Sequence, residues 1–118
     1  MKYLIIDDNP DIRKMIVRKV CLENDDFVEC SDGEDAVSSY AKFLPDYVLM
    51  DIQMPKIDGL IATQIIIEKF PNARVIIITD YDTTPFRLAA KRVGASAFVS
   101  KENLSEVKEF ISNGVMNW

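Results

Sequence analysis

The sequence contains no histidine among its 118 residues. That excludes histidine acid–base chemistry, histidine nucleophiles and histidine-ligated metal centres within the chain. Glycine is scarce at four residues, so no glycine-rich phosphate cradle is available. The two cysteines, Cys21 and Cys30, have neither metal-type nor redox-type spacing and read as reduced core residues. No apolar run reaches membrane-spanning length, and the first strand begins almost at Met1, so a cytoplasmic chain without a secretory leader is expected. Positive charge is also in deficit. Fourteen Lys and Arg against nineteen Asp and Glu give a net charge of −5, which argues against a domain that grips a phosphate backbone by itself. Any metal must then be held by oxygen, which favours a hard cation such as Mg²⁺.

What is present is a regular alternation, long enough for one domain with one core. Lys2–Ile6 is an apolar strand ending in Asp7-Asp8. Asn9-Pro10 opens a helix, with Ile12, Ile16 and Val20 on one side, to about Glu23. Phe27–Cys30 is a short strand, and Ala36, Val37, Tyr40, Ala41 and Leu44 form the next helical stripe, stopped before Pro45. Tyr47–Met50 is an apolar strand that ends in Asp51. Pro55 and Asp58-Gly59 bracket a tight loop before a third helix, Leu60 to Lys69.

Arg74–Thr79 is β-branched and reads as a strand buried on both faces. Thr84-Pro85 reads as N-cap and first residue of a fourth helix that closes at Gly94. Ala97–Ser100 is a last strand, ending at Lys101, and Asn103 to Glu106 has capping-box spacing ahead of a fifth helix carrying Leu104, Val107, Phe110 and Ile111. Five strands alternating with five helices predict a doubly wound parallel sheet of flavodoxin-like (βα)5 type, in the order 2-1-3-4-5.

That order sets strands one and three side by side at a switch point, the usual ligand crevice of such sheets. Asp7, Asp8 and Asp51 then crowd one crevice, with Thr79 and Lys101 on its rim. Each has a plainer reading taken singly: a helix cap, a strand-end hydroxyl, a solvated ammonium. All five at strand carboxyl ends, in order, is harder to read that way. Three close carboxylates call for a cation, and Mg²⁺ leaves positions for substrate oxygens. A carboxylate beside Mg²⁺, an ammonium and a hydroxyl suits phosphoryl transfer to that carboxylate.

From Lys2 to about Ile111 the sequence resembles the receiver domains of bacterial two-component response regulators. The resemblance rests on Asp7-Asp8, Met50-Asp51-Ile52-Gln53-Met54-Pro55 with Asp58-Gly59, Thr79, and Ser100-Lys101. Gly94–Lys101 is most similar to the subclass whose output is a helix-turn-helix DNA-binding domain. The resemblance implies that Asp51 accepts a phosphoryl group from a phosphohistidine on a sensor histidine kinase or phosphotransfer protein. It implies that Asp7 or Asp8, with Asp51 and the Gln53 backbone carbonyl, holds Mg²⁺. Lys101 pairs with the phosphoryl group, Thr79 moves to bond it, and Phe98 turns inward as the switch. It implies a signalling domain rather than an enzyme, occupying residues 1–118, alone or as the N-terminal part of a longer regulator, with homodimerisation through the fourth and fifth helices as a further partner mode.

On this reading Arg87, Lys91 and Arg92 on the fourth helix meet protein partners rather than DNA or membrane. Two positions depart from the pattern. Glu102 follows Lys101 where the family often has a cis proline, and a cis bond there would cost about 3–4 kcal/mol. Asp80 stands after Thr79 where the family usually has a small residue. Asp80 is also the support for the alternative, a receiver-like interaction module that works without phosphorylation. The ending Asn113–Trp118 carries apolar residues past a helix stop and suits either a receiver cut from a longer regulator or a stand-alone one.

Overall fold

The computed structural model describes residues 1–114; the expectation for the apolar ending falls mainly on residues 115–118, outside the described residues. Five parallel strands, β1 (Lys2–Ile6), β2 (Asp26–Cys30), β3 (Tyr47–Met50), β4 (Val75–Thr79) and β5 (Ala97–Ser100), pair in the order β2-β1-β3-β4-β5. Five helices alternate with them: α1 (Pro10–Val20), α2 (Gly33–Phe43), α3 (Gly59–Lys69), α4 (Thr84–Arg92) and α5 (Ser105–Asn113). The strand order and the alternation are those the sequence predicts.

The sheet buries both faces, which is why β3 and β4 are apolar at nearly every position. On one face Leu4, Val48, Ile77 and Phe98 pack beneath Ala36 and Tyr40 of α2, Ala62 and Ile66 of α3, and Ala90 of α4. On the other, Ile5, Leu49, Ile76 and Val99 pack beneath Ile16 and Val20 of α1 and Leu104 and Val107 at the start of α5. The isoleucine run of α3 is resolved by this packing: Ile66 is fully buried, while Ile65 and Ile67 are half-buried at its sides.

Several element ends differ from expectation, each for a local reason. α1 stops at Val20 because Asp25 turns back and accepts the Leu22 backbone N–H at 2.8 Å, ending the helical ladder early. Leu44 does not extend the α2 stripe; it is the left-handed C-cap (φ 49°) and is exposed, as is Ala41. α4 is capped by Thr83, not Thr84, with its hydroxyl accepting from Phe86 N at 3.3 Å. The capping box at Asn103 does not form. Lys101–Asn103 instead makes one 3-10 turn, capped by the Ser100 hydroxyl, and α5 starts at Ser105 without a side-chain cap. The Lys101–Glu102 bond is trans. Gly94 (φ 92°) and Gly114 (φ 70°) close α4 and α5 in the left-handed region that glycine enters freely.

Candidate functional site

β1 and β3 are in register, Ile6 beside Met50, so the residues following them emerge together at the carboxyl edge of the sheet. The Asp51 backbone N–H donates to Ile6 C=O at 2.9 Å and the Asp7 N–H to Cys30 C=O at 3.1 Å. These ladder bonds fix both carboxylates on rigid backbone. Asp7 is further held by its own loop. Its Oδ1 accepts the Asn9 N–H at 2.9 Å, and its backbone carbonyl accepts from the Arg13 guanidinium at 2.7 Å. Arg13 is steadied in turn by Glu29 at 3.0 Å. Asn9, not Asp7 or Asp8, caps α1, accepting from Asp11 N and Ile12 N. The acidic pair is thus free of the capping duty that was its plainest alternative explanation.

The loop after Asp51 returns to pack against that residue's own backbone. A Cβ on Gly59 would fall on the Asp51 carbonyl oxygen, so no other residue fits there without displacing the strand end. Asp58 caps α3 with one oxygen, accepting from Leu60 N and Ile61 N at 2.9 Å each. The Asp58-Gly59 pair therefore positions the Asp51 segment and does not itself line the cleft. Lys56 takes a positive φ of 66° in this loop. Its ammonium lies 3.6 Å from Glu34 and 4.0 Å from Asp32, at the start of α2.

Lys101, from the turn after β5, reaches across the sheet edge. Its ammonium lies 2.8 Å from Asp7 Oδ2, 3.4 Å from Asp51 Oδ1 and 3.8 Å from Asp80 Oδ2. The Lys101 side chain is only 9% exposed, and Asp7 and Asp51 are buried beneath it, while Asp8 is exposed. Burial pushes the Asp51 carboxyl up to about 6, assisted by the Asp7 charge and opposed by Lys101. Burial alone would lower the Lys101 ammonium, but its bond to Asp7 and the charges of Asp51, Asp7 and Asp80 outweigh that and raise it.

Asp7, Asp8 and Asp51 each bring a carboxylate oxygen to within 4.8 Å of the others. Apart from its ion pair with Lys101, the buried Asp7 Oδ2 has no hydrogen-bond partner. Three carboxylates so close, two of them buried and with one ammonium to offset them, form the kind of all-oxygen cluster that a hard divalent cation fits. The cleft holds roughly 290 Å³ and is lined by these acids together with Asp80, Gln53, Lys101 and three residues the sequence reading did not place there as ligand contacts, Asn9, Ile12 and Tyr81. Tyr81 was missed because nothing in its sequence spacing marks a loop residue that folds back over a cleft.

Thr79 ends β4 opposite Ser100 and is buried. Its hydroxyl accepts the Tyr81 N–H at 3.1 Å and does not line the cleft. Phe98 already points inward, fully buried, with the Arg87 guanidinium 4.8 Å over its ring. Arg87 is held there by two bonds to Asp82. Of the three basic residues on α4, Arg87 is thus paired with Asp82 and partly buried, while Lys91 and Arg92 are exposed.

A family model described as the response regulator receiver domain matches residues 3–112. Among curated proteins, the chain is 34% identical over 104 residues to the transcriptional regulatory protein DegU of Brevibacillus brevis, covering 86% of this chain and 44% of that protein. It is 33% identical over 103 residues to the response regulator GacA of Pseudomonas aeruginosa, covering 86% and 48%. The chain spans about half the length of these curated relatives. Among solved structures, a LuxR-family two-component response regulator from Aurantimonas superposes with a TM-score of 0.87 at 30% identity, covering 94% of this chain and 81% of that one. The CheX–CheY–BeF3–Mg²⁺ complex from Borrelia burgdorferi superposes with a TM-score of 0.88 at 30% identity, covering 98% and 90%.

Proposed function

The chain belongs to the response regulator receiver family of two-component systems, and we propose that it is a phosphoryl-accepting switch with Asp51 as the acceptor. The observation that carries this reading is the three-way meeting of Lys101 with buried Asp7 and Asp51, whose carboxylates lie within reach of a third, Asp8. An Asp51 oxygen forms a bond to phosphorus as the bond from phosphorus to the imidazole nitrogen of the donor breaks, and the imidazole leaves with the electron pair. The chain lacks histidine, so that imidazole belongs to a partner, a sensor histidine kinase or a phosphotransfer protein.

Lys101, already 3.4 Å from Asp51, pairs with the phosphoryl oxygens as negative charge gathers there. Asp7, Asp8, Asp51 and the Gln53 carbonyl would hold Mg²⁺, which when bound offsets the charge on the acids and on the phosphoryl oxygens. The Borrelia relative, whose structure includes BeF3 and Mg²⁺, supports that assignment by likeness. Thr79 gives up its bond to Tyr81 N to reach the phosphoryl group, loosening the loop that Asp82 and Arg87 fasten over Phe98.

The readout is a changed interaction surface at α4 and α5, including homodimerisation there. The chain acts as one receiver domain, in the cytoplasm, and controls a helix-turn-helix output and hence transcription. Support comes from the transcriptional regulators it resembles, of which it matches about half, and from the lack, among the described residues, of a helix able to cross a membrane. It works as a signalling domain rather than as an enzyme with turnover.

The test is intact mass after incubation with acetyl phosphate and Mg²⁺, or with a phosphorylated kinase. One phosphoryl group is expected on wild type and none on Asp51→Asn or in EDTA. Labelling of Asp51→Asn would remove Asp51 as acceptor. No labelling with either donor would favour the phosphorylation-independent interaction module instead.

A further inference from the structure

We propose that Asp80 selects the phosphoryl donor, disfavouring small dianionic donors by keeping the cleft negative even with one divalent cation in place; this rests on the function proposed above. The cleft is lined by four carboxylates, Asp7, Asp8, Asp51 and Asp80, and by one ammonium, Lys101. That leaves three net negative charges. One divalent cation reduces this to a single negative charge, and only without Asp80 would the loaded cleft be neutral. Asp80 thus decides whether an incoming anion meets a neutral or a repelling site.

Its position gives it two ways to act. The Asp80 side chain is 65% exposed beside the Lys101 ammonium, whereas Asp7 and Asp51 are buried. A donor arriving from solvent meets Asp80 before it meets Asp51. Asp80 also lies 3.8 Å from Lys101 Nζ, the one cation lining the cleft among the described residues, and competes for it with Asp51 at 3.4 Å. Both effects oppose a free anion. A protein donor that carries cationic side chains around its phosphohistidine is helped by the first and offsets the second, so the same residue favours a basic docking face over a metabolite.

The step itself is unchanged. With acetyl phosphate, Asp51 forms its bond to phosphorus as the phosphorus–oxygen bond to the acetyl group breaks, and acetate leaves with the electron pair. Asp80 makes no bond to the reacting atoms and is a positioning and selecting residue.

The experiment measures labelling of the 118-residue chain by intact mass, in Mg²⁺, with acetyl phosphate and with phosphoramidate. Acetyl phosphate is a dianion at neutral pH, and phosphoramidate carries a single net negative charge. Asp80→Asn keeps the shape and removes the charge; Asp80→Ser repeats the removal with a different side chain, and Asp80→Glu restores it. At low salt Asp80→Asn and Asp80→Ser should label about fivefold faster than wild type with acetyl phosphate, the size expected of one partly exposed charge. The gap should shrink as salt is added, should be smaller with phosphoramidate, and should vanish in Asp80→Glu.

Equal rates at low salt, a gap that salt leaves unchanged, or the same gap with both donors would overturn the selection by charge while leaving Asp51 as acceptor. No labelling of wild type or any variant by either small donor would overturn this inference, and the proposed function falls with it only if a phosphorylated kinase also leaves wild type unlabelled.

Discussion

Asp51 carries a conflict that its neighbours only partly relieve. Its carboxyl, pushed up to about 6 from an ordinary value of 3.8, is buried next to another acid. The folded protein therefore keeps a proton on Asp51 across a window, from about pH 4 to 6, in which the unfolded chain has already released it. Folding stability falls as pH rises through that window, by roughly 3 kcal/mol in total. In EDTA, Asp51→Asn should accordingly be more stable than wild type by about 1–3 kcal/mol at pH 7.5. The difference should close as pH drops through 6 towards 4. Denaturant unfolding of both proteins at several pH values measures this, and a difference that widens on acidification would contradict it. Phe98 illustrates the limit of residue-level reading. Its identity as an aromatic was plain, but the guanidinium over its ring is held there by Asp82, sixteen positions away in sequence.

At the scale of elements, the site is made precise by helix starts rather than by strands alone. Asn9 caps α1, Asp32 caps α2, Asp58 caps α3 and Thr83 caps α4, each with a side-chain oxygen on orphan backbone N–H groups. Asp58 is the most consequential, because the α3 start it fixes includes Gly59, which packs on the Asp51 carbonyl. Asp58→Ala should cost about 1–2 kcal/mol of stability, from the lost cap and the lost anion at the helix N-terminus. Urea unfolding would register it as a lower midpoint with an unchanged slope. The capping box expected at Asn103 failed because the chain must first bring Lys101 over the acids, and the 3-10 turn that does so uses up that stretch.

At the scale of the whole molecule, charge and topology act separately. The net charge of −5 leaves no extended basic face, and on α4 Arg87 is already paired with Asp82. The 118-residue chain should therefore give no sequence-specific mobility shift with promoter DNA at physiological salt, phosphorylated or not. A saturable shift that competitor DNA does not remove would refute this. Any promoter binding by a longer regulator would then reside in the part of its length this chain does not span.

The sequence by itself determined the five alternating strands and helices, the strand order, and the collection of Asp7, Asp8, Asp51, Thr79 and Lys101 at one edge. These follow from periodicity and from the handedness of crossover connections, which leave few arrangements. Tertiary structure alone decided which acid is buried and which is free, that Tyr81 lines the cleft and Thr79 does not, and that Lys101 is shared among three carboxylates. It also decided why position 59 must be glycine. The reason is physical. Periodicity reports which side of an element faces the core, but an ion pair of 2.8 Å and a backbone contact that leaves no room for a methyl group are set by loops from distant parts of the chain, where local sequence has no period to read.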